Sequence, residues 1–196
     1  MEHQRAGSIA VLMIFRPLDA REQRYAITTQ QARTPVDSLR FPKIPTGMLD
    51  RKGVFTGESA KAIEKLTGIK IEQRELVNLT ELALSESNTK ELLYSNPRGS
   101  DDFTRIYLWE KELSRQLLQE IVENLANQTT QGNTITVKLS TYDNMWSECV
   151  RDARSITAWA LYEGLRREGI IQGVFEELRR AHDSSSSLES LASDRQ

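Results

Sequence analysis

Ser8 to Phe15 (SIAVLMIF) is an unbroken apolar run of strand length and reads as a buried strand. After a polar connection with Pro17, Tyr25 to Gln31 (YAITTQQ) alternates and is rich in β-branched and aromatic residues, so it reads as a second strand forming a hairpin with the first. Phe41 to Pro45 is extended and punctuated by prolines. A loop bearing Gly53 and Gly57 follows, and then a short amphipathic helix over Glu58 to Thr67, with Ala60, Ile63 and Ala62/Leu66 at helical spacings. Thr56 and Gly57 suit its N-cap and Gly68 its C-cap.

Leu76, Leu79 and Leu82 recur at threes, while Leu79 to Leu84 also allows a strand. Ser85 to Ser100 is polar, carries Pro97 and Gly99, and reads as a loop. Phe103 to Trp109 (FTRIYLW) reads as a strand. Glu110 to Asn127 carries a helical stripe of Leu113, Leu117, Leu118, Ile121, Val122 and Leu125, a face for the core or for docking. A turn over Asn127 to Asn133 leads to the last clear strand, Thr134 to Ser140. Tyr142 to Trp146 is a short turn or helix, Ala153 to Glu168 a long helix, and Phe175 to Ala181 a further one. Strands interleaved with helices predict an α/β or α+β domain over residues 8–182, flanked by a short arm (1–7) and a serine-rich, disordered tail (183–196).

Composition narrows the function classes. A length of 196 residues suits one domain, and a net charge of −2 argues against general nucleic-acid binding. A single cysteine, Cys149, excludes an internal disulfide and favours a cytoplasmic, or at least intracellular, protein. No apolar run approaches the roughly 18 residues needed to span a bilayer, and the N-terminus is too weakly apolar for a signal peptide. His3 and His182 lie near the two ends and make no catalytic pair, and Cys149 reads as a buried structural thiol. The Arg166–Arg167 and Arg179–Arg180 pairs read as solvated helix faces. P-loop, dinucleotide-glycine and zinc spacings are absent.

The stretch Gly47 to Ile69 (GMLDRKGVFTGESAKAIEKLTGI) carries the chemistry. It resembles the Nudix box, G-x5-E-x7-R-E-U-x-E-E-x-G-U, with U aliphatic. Aligned without gaps, Gly47 takes the first glycine, Gly68 the last, Ile69 the final aliphatic, Ile63 the inner one, and Lys61 stands for the arginine. The lead-in Ile44 to Asp50 (IPTGMLD) is similar to that of Nudix enzymes that cleave ADP-sugars. The departures matter as much. Gly53 replaces the first box glutamate, and Ala62, Lys65 and Leu66 replace the three that hold divalent cations in the family. Magnesium takes hard oxygen ligands, which alanine and leucine lack and which lysine replaces with a positive charge. Glu64 lies roughly 200° round the helix from Ala62 and points elsewhere. Glu58, one turn before Ala62, is the helix carboxylate that could partly substitute.

Further segments extend the resemblance over roughly residues 6 to 171. Gln31 to Pro35 (QARTP) is similar to a Q-x-R-x-P segment of ADP-ribose and ADP-sugar Nudix enzymes, which makes Arg33 a candidate contact for a substrate diphosphate. A surface arginine in a loop is the plainer reading of Arg33. The lead-in favours glutamate where this chain has Lys43. The family segment similar to Leu79 to Leu84 favours a strand there. Gly99 to Phe103 resembles an acidic loop in which Asp101 and Asp102 match two acids that assist metal or water activation, although paired aspartates are more often a solvated turn or cap. Asn133 stands where relatives have glutamate. The region from Val137 to Ile171 closely resembles the C-terminal part of eukaryotic ADP-sugar diphosphatases.

This resemblance implies a Nudix fold, a mixed β-sheet sandwiched between α-helices. It implies a ligand of the ADP-ribose or ADP-glucose class, with Gly47, Arg33 and Lys65 on the substrate side, Glu58 as the metal ligand, Asp101 and Asp102 as catalytic acids, and Mg2+ or Mn2+ as cofactor if the site is active. Nucleic-acid and membrane partners are not implied. Seven residues precede Ser8, where the family usually has a region that supports a dimer, so a homodimer, a shortened gene product, a fragment and a monomer all stay open. Two functional readings follow: a nucleoside-diphosphate-sugar hydrolase with weak or absent activity, or a pseudoenzyme that binds a nucleotide sugar or a protein.

Overall fold

The computed structural model describes residues 8–33, 38–85, 93–94, 103–128, 135–178 and 180. The arm (1–7) and the tail (183–196) expected from the sequence, with Asp101, Asp102 and Asn133, lie outside the described residues.

The apolar run becomes β1 (Ser8–Pro17), and it is central because both its edges are paired. On one edge it runs parallel to β8 (Phe103–Leu113), in register from Ser8 opposite Thr104 to Pro17 opposite Leu113. The other edge is shared. The C-terminal half of β1 pairs antiparallel with β2 (Tyr25–Arg33), and its start pairs antiparallel with β4 (Thr46–Leu49). β2 in turn carries β3 (Ser38–Lys43) and β9 (Ile135–Thr141). The short β5 (Phe55–Thr56) joins β4, while β6 (Val77–Asn78) and β7 (Leu93–Tyr94) join β8. Among the described residues these nine strands form one mixed sheet.

Helices cover both faces, which is why β1 is apolar throughout rather than alternating. Side chains alternate across a strand. Ile9, Val11, Met13 and Phe15 therefore pack with Ile63 of α1 (Glu58–Thr67) and with Leu118, Ile121 and Leu125 of α3 (Arg115–Ala126). Ala10, Leu12 and Ile14 pack on the other face with Tyr142 and Met145 of α4 (Tyr142–Glu148) and with Ala158 and Tyr162 of α5 (Ala153–Arg167). The result is the expected α/β architecture, a large mixed sheet between helical layers. Each large apolar side chain so buried contributes about 1.5–3 kcal/mol, so packing rather than helix propensity holds these short helices.

Several boundaries differ from those expected. Leu79–Leu84, for which a strand was favoured, is the helix α2: the Asn78 side chain accepts a hydrogen bond from the Glu81 N–H and starts a helix that buries Leu79 and Thr80. The helix expected from Glu110 begins only at Arg115, because parallel pairing with β1 keeps β8 extended to Leu113 and Ser114 then caps α3 through the Leu117 N–H. Leu117 and Val122 of the predicted stripe are exposed, and Leu118, Ile121 and Leu125 carry its buried face. Residues 170–178 are helical, so the terminal helix starts earlier than expected. Arg167 is exposed as expected, while Arg166 is only partly solvated and donates to Glu163 at 3.0 Å.

Candidate functional site

The loop before α1 is built by close approach. A Cβ on Gly47 would lie 2.2 Å from the Thr56 carbonyl oxygen and 2.7 Å from the Phe55 ring, so β4 and β5 can pair here only around a glycine. Gly57 follows with φ of 123°, a conformation that side chains rarely adopt, and forms the N-cap of α1 without a side-chain cap. Gly68 closes the helix in the left-handed region, its N–H donating to the Glu64 carbonyl. The expected helix bounds and both glycine caps are thus present.

Two neighbouring recesses flank α1, and Ile135 of β9 lines both. The first, about 330 Å³, lies at the N-terminus of α1, where Gly47, Gly57 and Glu58 meet Gln31, Lys43 and Arg154. The second, about 270 Å³, lies further along the same helix, where Ala62, Lys65 and Leu66 face Asn124 and Gln128. Glu58 and Gly47 therefore line the same recess. Lys65 is exposed and opens into the second recess. Glu64 is exposed and lines neither recess. Arg33 ends β2, paired with Ser38, and its side chain lies outside the described residues.

Two residues of the first recess carry charge that the candidate list did not include. Lys43, at 4% exposure, donates from Nζ to Thr46 Oγ1 at 3.3 Å. The sequence flagged it only as a lost carboxylate, although a lysine inside the apolar segment Phe41–Pro42–Lys43–Ile44–Pro45 was a visible anomaly. Arg154 had no such signal. It stands in the first turn of α5, half-buried, and has no ion-pair partner among the described residues. What brings it here is a buried anchor. Asp152 caps α5 by accepting from the Ser155 N–H (3.0 Å) and hydroxyl (2.6 Å), and Ser155 Oγ accepts from the Ile44 N–H at 2.9 Å. Ile44 is the neighbour of Lys43, so this chain of hydrogen bonds sets the start of α5 beside the end of β3.

Cys149 is fully buried, and burial, then the neighbouring Asp152 and Glu148 charges, pushes its thiol up to about 12. It is a structural thiol rather than a nucleophile. No helix among the described residues is long and apolar enough to cross a membrane.

No family model matches the chain. Among curated proteins it is 28% identical over 168 residues to "Nudix hydrolase 14, chloroplastic" of Arabidopsis thaliana, a match covering 85% of this chain and 52% of that protein. The chain thus spans about half the length of the curated relative it matches. Among solved structures, a MutT/nudix family protein from Enterococcus faecalis aligns over 71% of this chain and 46% of its own, with 14% identity and a TM-score of 0.38. That score is below what shared topology requires, so the fold stands on the strand pairing and helical layers described above. Nudix hydrolases generally use divalent metals. The described residues of the first recess do not fit such an ion, since they set one carboxylate, Glu58, against the two cations Lys43 and Arg154. No group of three or more His, Cys, Asp or Glu suited to a metal is assembled among the described residues. By sequence, then, the chain is similar over most of its length to part of a Nudix hydrolase.

Proposed function

We propose that the chain binds a nucleoside diphosphate linked to a sugar, of the ADP-ribose or ADP-glucose class, in the recess bounded by Gly47 and Glu58, and that it hydrolyses this ligand weakly or not at all. The observation that carries this reading is the face α1 turns to the two recesses. It bears Glu58, Ala62, Lys65 and Leu66, so none of the three glutamates of the resemblance is kept and the one carboxylate on that face, Glu58, lies a turn earlier. Removing several oxygen ligands from one cation site leaves little to offset the dehydration of magnesium. The fold and the glycine-built loop are kept, so a shaped pocket remains without the donor set of the metal chemistry. Gly47 acts in it by letting β4 approach β5, and Lys65 supplies a positive charge to the adjoining recess.

A second reading, an active ADP-sugar diphosphatase, is favoured by Glu58 itself, which lines the recess, together with Asp101 and Asp102. The two are separated by measuring AMP or phosphate release from ADP-ribose and ADP-glucose with magnesium or manganese. The proposal expects little or no turnover from the native chain and a gain on restoring Ala62→Glu/Lys65→Glu/Leu66→Glu. Metal-dependent turnover that disappears in Glu58→Ala would sink it and establish a site rebuilt around that carboxylate.

A further inference from the structure

The start of α1 is held from the opposite face of the sheet. Ile44 packs in the core under α5, whereas Phe55 and Ile63 pack in the core under α1, so the chain crosses from one face to the other between them. Backbone donors are scarce at the corner between β3 and β4. Pro42 and Pro45 have no N–H, and Lys43 pairs with Thr29 in the sheet. The Ile44 N–H is buried, and it donates to Ser155 Oγ at 2.9 Å rather than to a strand. The Pro45 carbonyl then accepts from the Val11 N–H at 2.9 Å, and Thr46 and Gly47 pair with Ala10 and Ile9. Gly47 lies against the Thr56 carbonyl, and Gly57 begins α1. From Ile44 onward these links are backbone contacts, so a shift of Ile44 is passed to the first turn of α1 with no side-chain rotation to absorb it.

Ser155 plays its part because of Asp152. A hydroxyl has one proton and two lone pairs, and an ionised carboxylate only accepts. The Ser155 proton therefore goes to Asp152 at 2.6 Å, and a lone pair is left for Ile44. Capping by itself does not require a charge at this position, since serine, threonine or asparagine caps a helix as well. A buried carboxylate with no cation partner among the described residues is costly. What the charge adds is direction, because it leaves Ser155 only as an acceptor toward the corner. We propose that Asp152 and Ser155 are positioning residues of the site: acting through the Ile44 N–H, they fix from the far face of the sheet the turn at Gly47 on which α1 begins. The ligand named in the test rests on the nucleotide-sugar reading; the positioning rests on the hydrogen bonds alone.

Hydrogen–deuterium exchange of the full chain, together with calorimetric titration by ADP-ribose, tests this. Ser155→Ala removes the acceptor of the Ile44 N–H but keeps the backbone N–H that Asp152 caps. It is expected to speed exchange over residues 44–59, and to weaken ADP-ribose binding, each about tenfold. Glu163→Ala loosens α5 elsewhere along its length and controls for a general loss of packing; exchange over residues 44–59 and affinity are expected to stay as in the native chain. Asp152→Asn keeps a capping oxygen but can also turn an N–H toward Ser155. It is expected to give the pattern of Ser155→Ala at about threefold, and it keeps the test open if Ser155→Ala fails to fold. Unchanged exchange over residues 44–59 in either variant, an equal rise in Glu163→Ala, or native ADP-ribose affinity in Ser155→Ala would each overturn the proposal. A native chain that does not bind ADP-ribose removes the nucleotide-sugar reading, and exchange over residues 44–59 then decides the positioning by itself.

Discussion

Two charged regions of this protein are built in contrasting ways. Under α5, Arg16, Arg24 and Arg166 are each matched to a carboxylate. Arg16 pairs with Glu110, Arg166 donates to Glu163 at 3.0 Å, and Arg24 lies 3.4 Å from the same Glu163 and 3.7 Å from Asp143. Two tyrosines knit the network together: Tyr142 donates to Glu163 at 2.9 Å and Tyr162 to Glu110 at 3.1 Å, while Arg24 stacks over the Tyr142 ring. In the recess beside α1, the charged lining among the described residues is Lys43, Arg154 and the exposed Glu58, drawn from three different elements. A network that satisfies its own charges is spent on holding α5 to the sheet. Partly buried charge therefore does not by itself mark a site in this molecule.

The contrast can be broken most severely at Glu163. Glu163→Ala leaves Arg24 and Arg166 without their shared carboxylate and is expected to cost about 3 kcal/mol in urea unfolding while leaving ADP-ribose affinity unchanged. Equal loss of affinity would show that the two regions are one unit. Asp152→Ala, which cuts the anchor between α5 and β3, is expected to cost about 2 kcal/mol. Unlike Glu163→Ala, it should also weaken ADP-ribose binding, since the start of α5 would no longer be held against the recess.

Acid provides a milder probe of the network. Burial opposes ionisation of Glu163, but hydrogen bonds from Arg166 and Tyr142 and the Arg166 and Arg24 charges outweigh it and hold the carboxyl below its ordinary value. A carboxyl depressed in the folded state stabilises the protein fully above its unfolded value of about 4.5. That contribution is lost as pH falls below this value and through the lower folded one. Thermal unfolding followed from pH 6 down to about pH 3 should show a destabilisation that is smaller in Glu163→Gln. An identical pH profile in the variant would remove Glu163 from the network. The smallest effect is expected for Glu64→Ala, on the exposed side of α1 and in neither recess. It should stay within about 0.5 kcal/mol of the native chain in stability and should not alter ligand binding.

Much of the frame was legible in the residues. The run Ser8 to Phe15, the helix from Glu58 to Thr67 and the terminal helix from Ala153 stand where periodicity and capping put them. Misreadings arose where pairing or capping overrode local pattern. Glu110 to Leu113 continue a strand because β1 is alongside, and Leu79–Leu84 coil because Asn78 caps them. Of the candidate site, Glu58 and Gly47 do line one recess, whereas Lys65 opens into its neighbour. Arg33 ends a strand, and Asp101 and Asp102 fall outside the described residues.

Local chemistry along the chain dictated most of the elements, the two-sided burial of β1, the glycine-bearing loop before α1 and the replacement of the helix carboxylates by Ala62, Lys65 and Leu66. These follow from spacing and residue type, which act over a few residues. The meeting of Lys43 with Arg154 was decided only in three dimensions. The two are 111 positions apart in the chain, and no periodicity couples them. They face one recess because Asp152 orders Ser155, Ser155 accepts the Ile44 N–H, and a buried backbone donor must find a partner wherever the fold brings one.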